Sequence, residues 1–147
     1  MPRKFLVSKE IEFDAGHRVP EHASKCRNPH GHRYRVVVNV EGALQAEGSS
    51  DGMVLDFGEI KSLLTERVHD VYDHSFIVKF DDPFANYLMG FSRDNPCKIV
   101  LVGFTPTAEN LAFAIFEDLA GPIEELGAKL VCVLVWETPT SMAAYPA

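Results

Sequence analysis

Residues 33–40, RYRVVVNV, carry the clearest structural signal in the chain. Because β-branched and aromatic side chains favour extended backbone, this segment predicts a strand. Residues 5–13 alternate in part between apolar and polar side chains, which predicts an earlier strand that ends at Ala15 or His17. Residues 17–31 between them are rich in proline, histidine, asparagine and charge, and we expect a loop there. The chain therefore begins with two strands joined by a polar loop.

Three helices are predicted downstream. Apolar residues at helical spacing predict a helix from Phe57 to Tyr72, and Asp82-Pro83 is typical of the start of a second helix. Thr105-Pro106-Thr107 predicts the start of a third helix, which runs to about Leu119 and is closed by Gly121-Pro122.

Two more strands are predicted at Lys98–Gly103 and Lys129–Trp136. The order of two strands, then helices, then two more strands indicates an α+β fold, an antiparallel sheet with helices on one face. A length of 147 residues, with 46% hydrophobic and 24% charged residues, suits one folded domain over residues 1–147.

The composition excludes several classes of protein. No segment approaches the roughly 18 to 20 apolar residues of a membrane span, and the first residues lack the apolar block of a secretory signal, so we expect a cytoplasmic protein with no membrane partner. A net charge of −7 disfavours a nucleic-acid partner. There is neither a G-x-G-x-x-G motif nor a P-loop, which argues against nicotinamide and ATP.

One short segment, residues 18–35, is basic although the whole chain is acidic. It contains five basic residues and Glu21 as the one acidic residue among them; the five are Arg18, Lys25, Arg27, Arg33 and Arg35. The cluster suits either a small polyanion or a solvated basic loop, and the sequence leaves both open.

A metal site is predicted where the first two strands meet. His30 and His32 are separated by one residue, so on extended backbone their side chains project from the same face. His17 ends the preceding strand and can lie opposite them. Three neutral imidazoles leave a tetrahedral zinc ion one open position, which is typical of a catalytic site. His22 is the rival ligand, but its place in the loop makes it the poorer candidate.

Cys26 lies four residues before His30, between Lys25 and Arg27. Cationic neighbours and a nearby zinc ion favour the thiolate, which a general base or a nucleophile requires. Two other interpretations stay open: Cys26 could close the zinc site as a fourth ligand, or it could be an ordinary buried thiol.

Two further carboxylates have candidate roles. Asp73 beside His74 suits a proton relay, although the pair could equally be a polar helix end. Glu137 ends the last predicted strand and could accept two hydrogen bonds from a guanidine-like edge such as that of a pterin, or it could simply meet solvent. His69, one helical turn before Asp73, is interpreted as solvent-facing.

Taken together, these motifs resemble a known family. The quoted segments are Phe13-Asp14-Ala15-Gly16-His17-Arg18, Cys26-Arg27-Asn28-Pro29-His30-Gly31-His32, Gly52-Met53-Val54-Leu55-Asp56-Phe57, Asp73-His74, Pro106-Thr107-Ala108-Glu109-Asn110 and Trp136-Glu137-Thr138. Their order resembles that of the pyruvoyl-tetrahydropterin synthase and 6-carboxytetrahydropterin synthase family, and the match covers nearly the whole chain.

The resemblance implies a tunnelling fold, in which subunits of ββααββ type assemble through their sheets into a barrel, commonly a homo-hexamer. It also implies a set of site residues: zinc on His17, His30 and His32, a catalytic Cys26, a relay of Asp73 and His74, a pterin anchor at Glu137, and Thr107 and Glu109 beside the pterin pocket. The cysteine and the relay are expected to come from different subunits.

The spacing around the cysteine points to one branch of the family. Cys26 and His30 enclose three residues, which resembles the carboxy-forming branch of queuosine and 7-deazapurine biosynthesis. That branch converts 7,8-dihydroneopterin triphosphate into 6-carboxy-5,6,7,8-tetrahydropterin, acetaldehyde and triphosphate. Formation of 6-pyruvoyl-tetrahydropterin and a non-catalytic zinc-binding module remain alternatives. Residues 75–104 form a longer segment than in the shortest members.

Overall fold

The computed structural model describes residues 1–147, and its main feature is a six-stranded sheet. The strands are β1 (Lys4–His17), β2 (His30–Ala43), β3 (Ser75–Lys79), β4 (Ile99–Val102), β5 (Lys129–Thr138) and β6 (Ser141–Tyr145). Their order across the sheet is β4-β3-β1-β2-β5-β6. The long β1 and β2 form its centre and confirm the two strands predicted at the start of the chain.

The helices also lie close to their predicted positions. They are α1 (Phe57–Leu64), α2 (Asp70–Tyr72), α3 (Pro83–Asp94) and α4 (Ala108–Glu125). A π-helical segment, Thr65–His69, joins α1 to α2, so the predicted helix over 57–72 is continuous. No helix in the structure combines the length and the apolar character needed to cross a membrane.

The core lies between one face of the central strands and the α1 and α4 helices. Alternate residues of β2, from Tyr34 to Val40, are fully buried, as the period of two in a strand requires. Leu111 and Leu119 of α4 are equally buried and belong to the same apolar cluster. The predicted α+β class is confirmed.

The sheet is mixed and has two more strands than predicted: β3 and β6 were not predicted, and β4 was expected to be antiparallel. β1, β2 and β5 pair antiparallel as predicted, and β6 pairs antiparallel to β5. β3 pairs parallel to β1, and β4 pairs parallel to β3. The α3 helix supplies the crossover connection that two parallel strands need.

The α3 helix is the exception to the expected placement of helices on one face. Ile77 of β3 belongs to the main core, so its neighbours Phe76 and Val78 point to the opposite side. The Phe76 ring packs on that of Phe84 in α3, with 5.3 Å between centroids. Val78 and Ala85 are buried outside the main core. α3 therefore covers the opposite face, because three consecutive apolar residues in β3 need cover on both sides.

The predicted end of the third helix at Gly121-Pro122 is wrong. α4 continues to Glu125 with Pro122 inside it. Ile123, one residue further on, is 1% exposed, and its burial in the core offsets the hydrogen bond that proline cannot donate. The helix ends before Gly127, whose φ of 94° is a conformation that glycine adopts readily.

Candidate active site

Three histidines converge where β1 and β2 meet. The antiparallel register places His17 directly opposite His30, and His32 follows on the same face of β2. The Nε2 atoms of His17 and His30 are 3.1 Å apart. One ligand nitrogen from each of the three histidines lies within 4.8 Å of the others, so the group could hold a metal ion.

Backbone carbonyls fix which ring nitrogens face one another. The Pro106 carbonyl lies 2.7 Å from Nδ1 of His17, and the Asn28 carbonyl lies 2.6 Å from Nδ1 of His30. A carbonyl only accepts, so both Nδ1 atoms carry the proton and donate it. In the neutral rings, two Nε2 lone pairs then face each other with no hydrogen between them. A cation would relieve that repulsion, and orientation of ligand histidines by backbone carbonyls is usual in metal sites.

Burial favours the neutral form of these imidazoles. His17 is 1% exposed, and loss of hydration lowers its pKa below the usual value, against the opposing effects of the Pro106 carbonyl and Glu137. Burial lowers the pKa of His32 as well. Neutral imidazole is the form that binds zinc and related metals, so the protonation state suits the geometry.

The remaining ligand candidates are one carboxylate and one thiol. Oε1 of Glu137 lies 3.4 Å from Nε2 of His17 and 3.9 Å from Nε2 of His32. Cys26 is not a member of the compact ligand group. His22 is also outside it: the exposed His22 ring accepts a hydrogen bond from the Ser24 backbone N–H at 2.9 Å. The arrangement favours three histidine ligands and an open position over a site closed by Cys26.

Cys26 nevertheless faces the same space. A cavity of about 540 Å³ is lined by Lys25, Cys26, Asn28, His30, His32, Glu137 and Thr138. The thiol is half-buried and unpaired with any other cysteine. The thiol, two of the three histidines and the Glu137 carboxylate thus share one volume, large enough to receive a small organic substrate.

Three of the five basic residues near the site already have carboxylate partners. Arg18 pairs with Asp82, Arg33 with Glu12 and Asp14, and Arg35 with Glu10. Lys25 and Arg27 have no ion-pair partner, and they flank Cys26. The charge available to a small polyanion is therefore concentrated beside the thiol.

Asp73 and His74 form a hydrogen-bonded pair outside this cavity. Oδ2 of Asp73 accepts from Nδ1 of His74 at 2.7 Å, and Oδ1 accepts from the Asp14 backbone N–H at 3.0 Å. That backbone bond, followed by the bond from His74, lowers the pKa of the Asp73 carboxyl. The His74 side chain is 79% exposed, and its backbone has a φ of 58°.

The relay lies apart from Cys26 within one chain. His74 borders a separate, open depression with Asp14, Gly16 and Arg33. His69 also approaches Asp73, with 3.6 Å between Nε2 and Oδ2, and is half-buried, so it is less solvent-facing than expected. Cys26 and His74 therefore border different cavities of this chain, which have His32 in common.

Thr107 and Glu109 lie at the start of α4. Thr107 is the N-cap, and its hydroxyl accepts from the Asn110 backbone N–H at 3.2 Å, while Glu109 is exposed in the first turn. Neither lines the cavity of Cys26. Their predicted contact with a pterin stays a prediction.

Two features of the site were missed from sequence. The Pro106 carbonyl orients His17 although the two residues are 89 positions apart, and no local sequence pattern indicates this contact. Tyr34 is fully buried, and its ring edge approaches His17 and His32 with centroid separations of 5.9 and 5.7 Å. Its hydroxyl has no hydrogen-bond partner. Its position two residues after His32 on the same strand face could have revealed it.

Comparison with known proteins identifies the family. The family model described as 6-pyruvoyl tetrahydropterin synthase matches residues 6–147. The 6-carboxy-5,6,7,8-tetrahydropterin synthase of Haemophilus influenzae is 35% identical, over 96% of this chain and 98% of its own length. The enzyme of that name from Aquifex aeolicus is also 35% identical, over 97% of this chain and 98% of its own.

Solved structures agree with this family. An uncharacterized protein from Wolinella succinogenes superposes with a TM-score of 0.80 at 28% identity, covering 97% of both chains. The 6-pyruvoyl tetrahydropterin synthase of Caenorhabditis elegans superposes with a TM-score of 0.70, covering 99% of this chain and 97% of its own, and its 24% identity supports the fold alone. With a tunnelling fold and a family match that extends over nearly all its residues, the chain belongs to the 6-pyruvoyl tetrahydropterin synthase family of enzymes.

Proposed function

We propose that this chain is a zinc-dependent carbon-carbon lyase that converts 7,8-dihydroneopterin triphosphate into 6-carboxy-5,6,7,8-tetrahydropterin, acetaldehyde and triphosphate. The observation that carries the proposal is the cavity in which Cys26, Glu137 and two of the three clustered histidines, His30 and His32, meet. The names of the relatives at 35% identity support the carboxy-forming reaction in particular. We assign the reaction to queuosine and 7-deazapurine biosynthesis, and we place this one-domain protein, residues 1–147, in the cytoplasm.

Zinc would be held by His17, His30 and His32, whose neutral nitrogens match its preferred ligands. When bound, it would act as a Lewis acid on hydroxyl oxygens of the substrate side chain. The chain's own contribution is to hold the Nε2 atoms of His17 and His30 toward each other, through the carbonyls that fix both rings, with His32 beside them.

Cys26 is assigned to proton removal from the substrate side chain. It is half-buried beside His30 and His32, so its thiolate would lie next to a substrate side chain that enters the cavity. Lys25 and Arg27 flank the thiol in the sequence and, because no carboxylate neutralises them, they suit the triphosphate.

Glu137 is assigned to the pterin ring. Its carboxylate borders the cavity from the opposite strand and can accept two hydrogen bonds from the guanidine-like edge of the ring. The side chain of the pterin would then be directed toward the histidines. The Nε2 atoms of His17 and His32 lie 3.4 and 3.9 Å from Oε1 of Glu137.

Asp73 and His74 are assigned to proton transfer in a neighbouring subunit's cavity. Asp73 orients His74 and stabilises its protonated form, while the His74 ring is exposed and free to approach another chain. The outer edges of β4 and β6 remain unpaired in one chain, and pairing between copies would close the sheet. We therefore propose a homo-hexameric barrel, the assembly that the family resemblance implies.

Product analysis tests the reaction. Zinc-loaded protein is incubated with 7,8-dihydroneopterin triphosphate, acetaldehyde is measured with a coupled alcohol dehydrogenase, and the pterin is identified by mass. We expect acetaldehyde and carboxytetrahydropterin in equal amounts, and neither product with Cys26→Ala. A tetrahydropterin that keeps its three side-chain carbons, without acetaldehyde, would instead assign the chain to 6-pyruvoyl-tetrahydropterin formation. No turnover at all would favour a non-catalytic zinc-binding module.

A further inference from the structure

Arg18 and Asp82 form a closely paired contact that the proposed reaction does not use. Nε of Arg18 donates to Oδ2 of Asp82 at 2.7 Å, and Nη2 donates to Oδ1 at 2.6 Å. The Asp82 side chain is 1% exposed and that of Arg18 is 23% exposed. The two hydrogen bonds raise the pKa of Arg18 and lower that of Asp82, so both groups are charged across the neutral range.

The arginine end of this pair holds the loop that carries Cys26. Nη1 of Arg18 also donates to the Arg27 carbonyl at 3.3 Å. The backbone N–H of the next residue, Val19, donates to the Cys26 carbonyl at 2.8 Å. The carbonyls of Cys26 and Arg27 are therefore both hydrogen-bonded to the two residues that follow His17 at the end of β1.

The aspartate end is fixed to the opposite face of the sheet. Asp82 caps α3 by accepting from the Phe84 backbone N–H at 2.9 Å. The Phe84 ring packs on Phe76 of β3. The Arg18 guanidinium lies 5.9 Å from the centre of the Phe84 ring. Asp82 is thus held by a capped helix that is itself packed on the sheet, which makes it a rigid anchor for Arg18.

We propose that Arg18 and Asp82 are positioning residues for Cys26, through which the α3 helix holds the thiol in register with the histidine group. The proposal rests on the proposed function, in which Cys26 must reach a proton within hydrogen-bond distance. Displacing a reacting group by about 1 Å can cost roughly 100-fold in rate. The pair lies outside the cavity that holds substrate, so its loss would change the rate of reaction rather than the binding of substrate.

Two substitutions test this assignment. Asp82→Asn removes the charge but retains a good helix cap, and Arg18→Lys keeps the charge but replaces the planar fork that reaches both Asp82 and the Arg27 carbonyl. We expect kcat to fall roughly 10- to 100-fold in Asp82→Asn, with KM within threefold of the parent and zinc content unchanged. The kcat of Arg18→Lys should lie between that of the parent and that of Asp82→Asn.

Hydrogen exchange supplies a readout independent of turnover. Amides of residues 18–28 should exchange at least tenfold faster in Asp82→Asn, while those of β2 keep their protection. Asp118→Asn, which removes the exposed contact with Arg67 on another part of the surface, is the matched control and should leave both kcat and exchange unchanged. Because exchange is measured without substrate, it remains decisive if the parent enzyme forms another product.

Three results would overturn the assignment: unchanged exchange over residues 18–28, a kcat within twofold of the parent in Asp82→Asn, or a parallel loss of zinc and substrate binding. If Asp82→Asn does not fold, Arg18→Lys carries the same measurements. A kcat and an exchange pattern equal to the parent's in that folded variant would then overturn it.

Discussion

Replacing Glu137 with glutamine removes one negative charge from the cavity that Cys26 lines while keeping the size of the side chain. In the proposed complex the carboxylate accepts two hydrogen bonds from the pterin. Glutamine retains one acceptor, but its NH₂ group faces a donor on the ring. One charge-assisted bond becomes a neutral bond, and the other becomes a contact between two donors.

The size of the effect follows from these two losses. Hydrogen bonds to charged groups contribute about 1.5–3 kcal/mol and neutral ones about 0.5–1.5 kcal/mol, and a donor left unpaired costs about 1–3 kcal/mol. The sum is about 2–4 kcal/mol, or roughly 30- to 1,000-fold. The Glu137 side chain is 28% exposed, so we expect the lower part of this range because water can replace part of the lost contact. We predict that kcat/KM falls by about 30- to 200-fold.

Steady-state kinetics and metal analysis check this prediction together. Glu137→Gln should retain its zinc, because the three histidines supply the ligands and loss of the carboxylate removes an effect that raises the pKa of His17 and His32. Glu41→Gln is the matched control: its carboxylate contacts Lys4 at 3.1 Å at the far end of β2, and kcat/KM should stay within twofold of the parent. A kcat/KM within threefold of the parent in Glu137→Gln would refute the assignment to the pterin. Loss of zinc would instead place Glu137 at the metal.

Three further predictions concern the metal, the assembly and the response to pH. His30→Ala should lose zinc and activity while His22→Ala keeps both, as measured by metal analysis; full zinc occupancy in His30→Ala would exclude the histidine group as the site. Mixed oligomers refolded from Cys26→Ala and His74→Ala subunits should recover part of the activity that each variant lacks, and demonstrated mixed oligomers without recovery would contradict catalysis across subunits. Burial lowers the pKa of His17 and His32 from the ordinary 6.5, so the unfolded chain binds more protons than the folded one, and the metal-free protein should lose stability as pH falls below about 6.5. Thermal unfolding in a chelator at pH 7.5 and 5.5 measures this loss, and a midpoint that rises on acidification would contradict it.

The parts of the site that sequence could predict are those set by local geometry. Separation by two residues on a strand places His30 and His32 on one face, whatever the rest of the chain does. The Asp73–His74 contact is similarly local. His17 lies opposite this pair because β1 and β2 pair as antiparallel neighbours. The two strands predicted at the start of the chain allowed that pairing.

The features that sequence could not predict depend on contacts between distant segments. Arg18 and Asp82 are 64 residues apart, and the Pro106 carbonyl is 89 residues from His17. The continuation of α4 through Pro122 depends on the burial of Ile123 against the sheet. The parallel β3 was missed because Ser75–Lys79 is too short to show a period, and its two-sided burial becomes visible only with α3 in place.

X-ray absorption at the zinc edge tests the central claim most directly, because that claim is a metal held by three histidines with an open position toward Cys26. On zinc-loaded protein without substrate, we predict a first shell of nitrogen and oxygen atoms at about 2.0–2.1 Å, of which three are imidazole nitrogens, with no sulfur. The spectrum of Cys26→Ala should be the same. A sulfur atom at about 2.3 Å that disappears in Cys26→Ala would show that the thiol closes the site, and would contradict its assignment as the catalytic base.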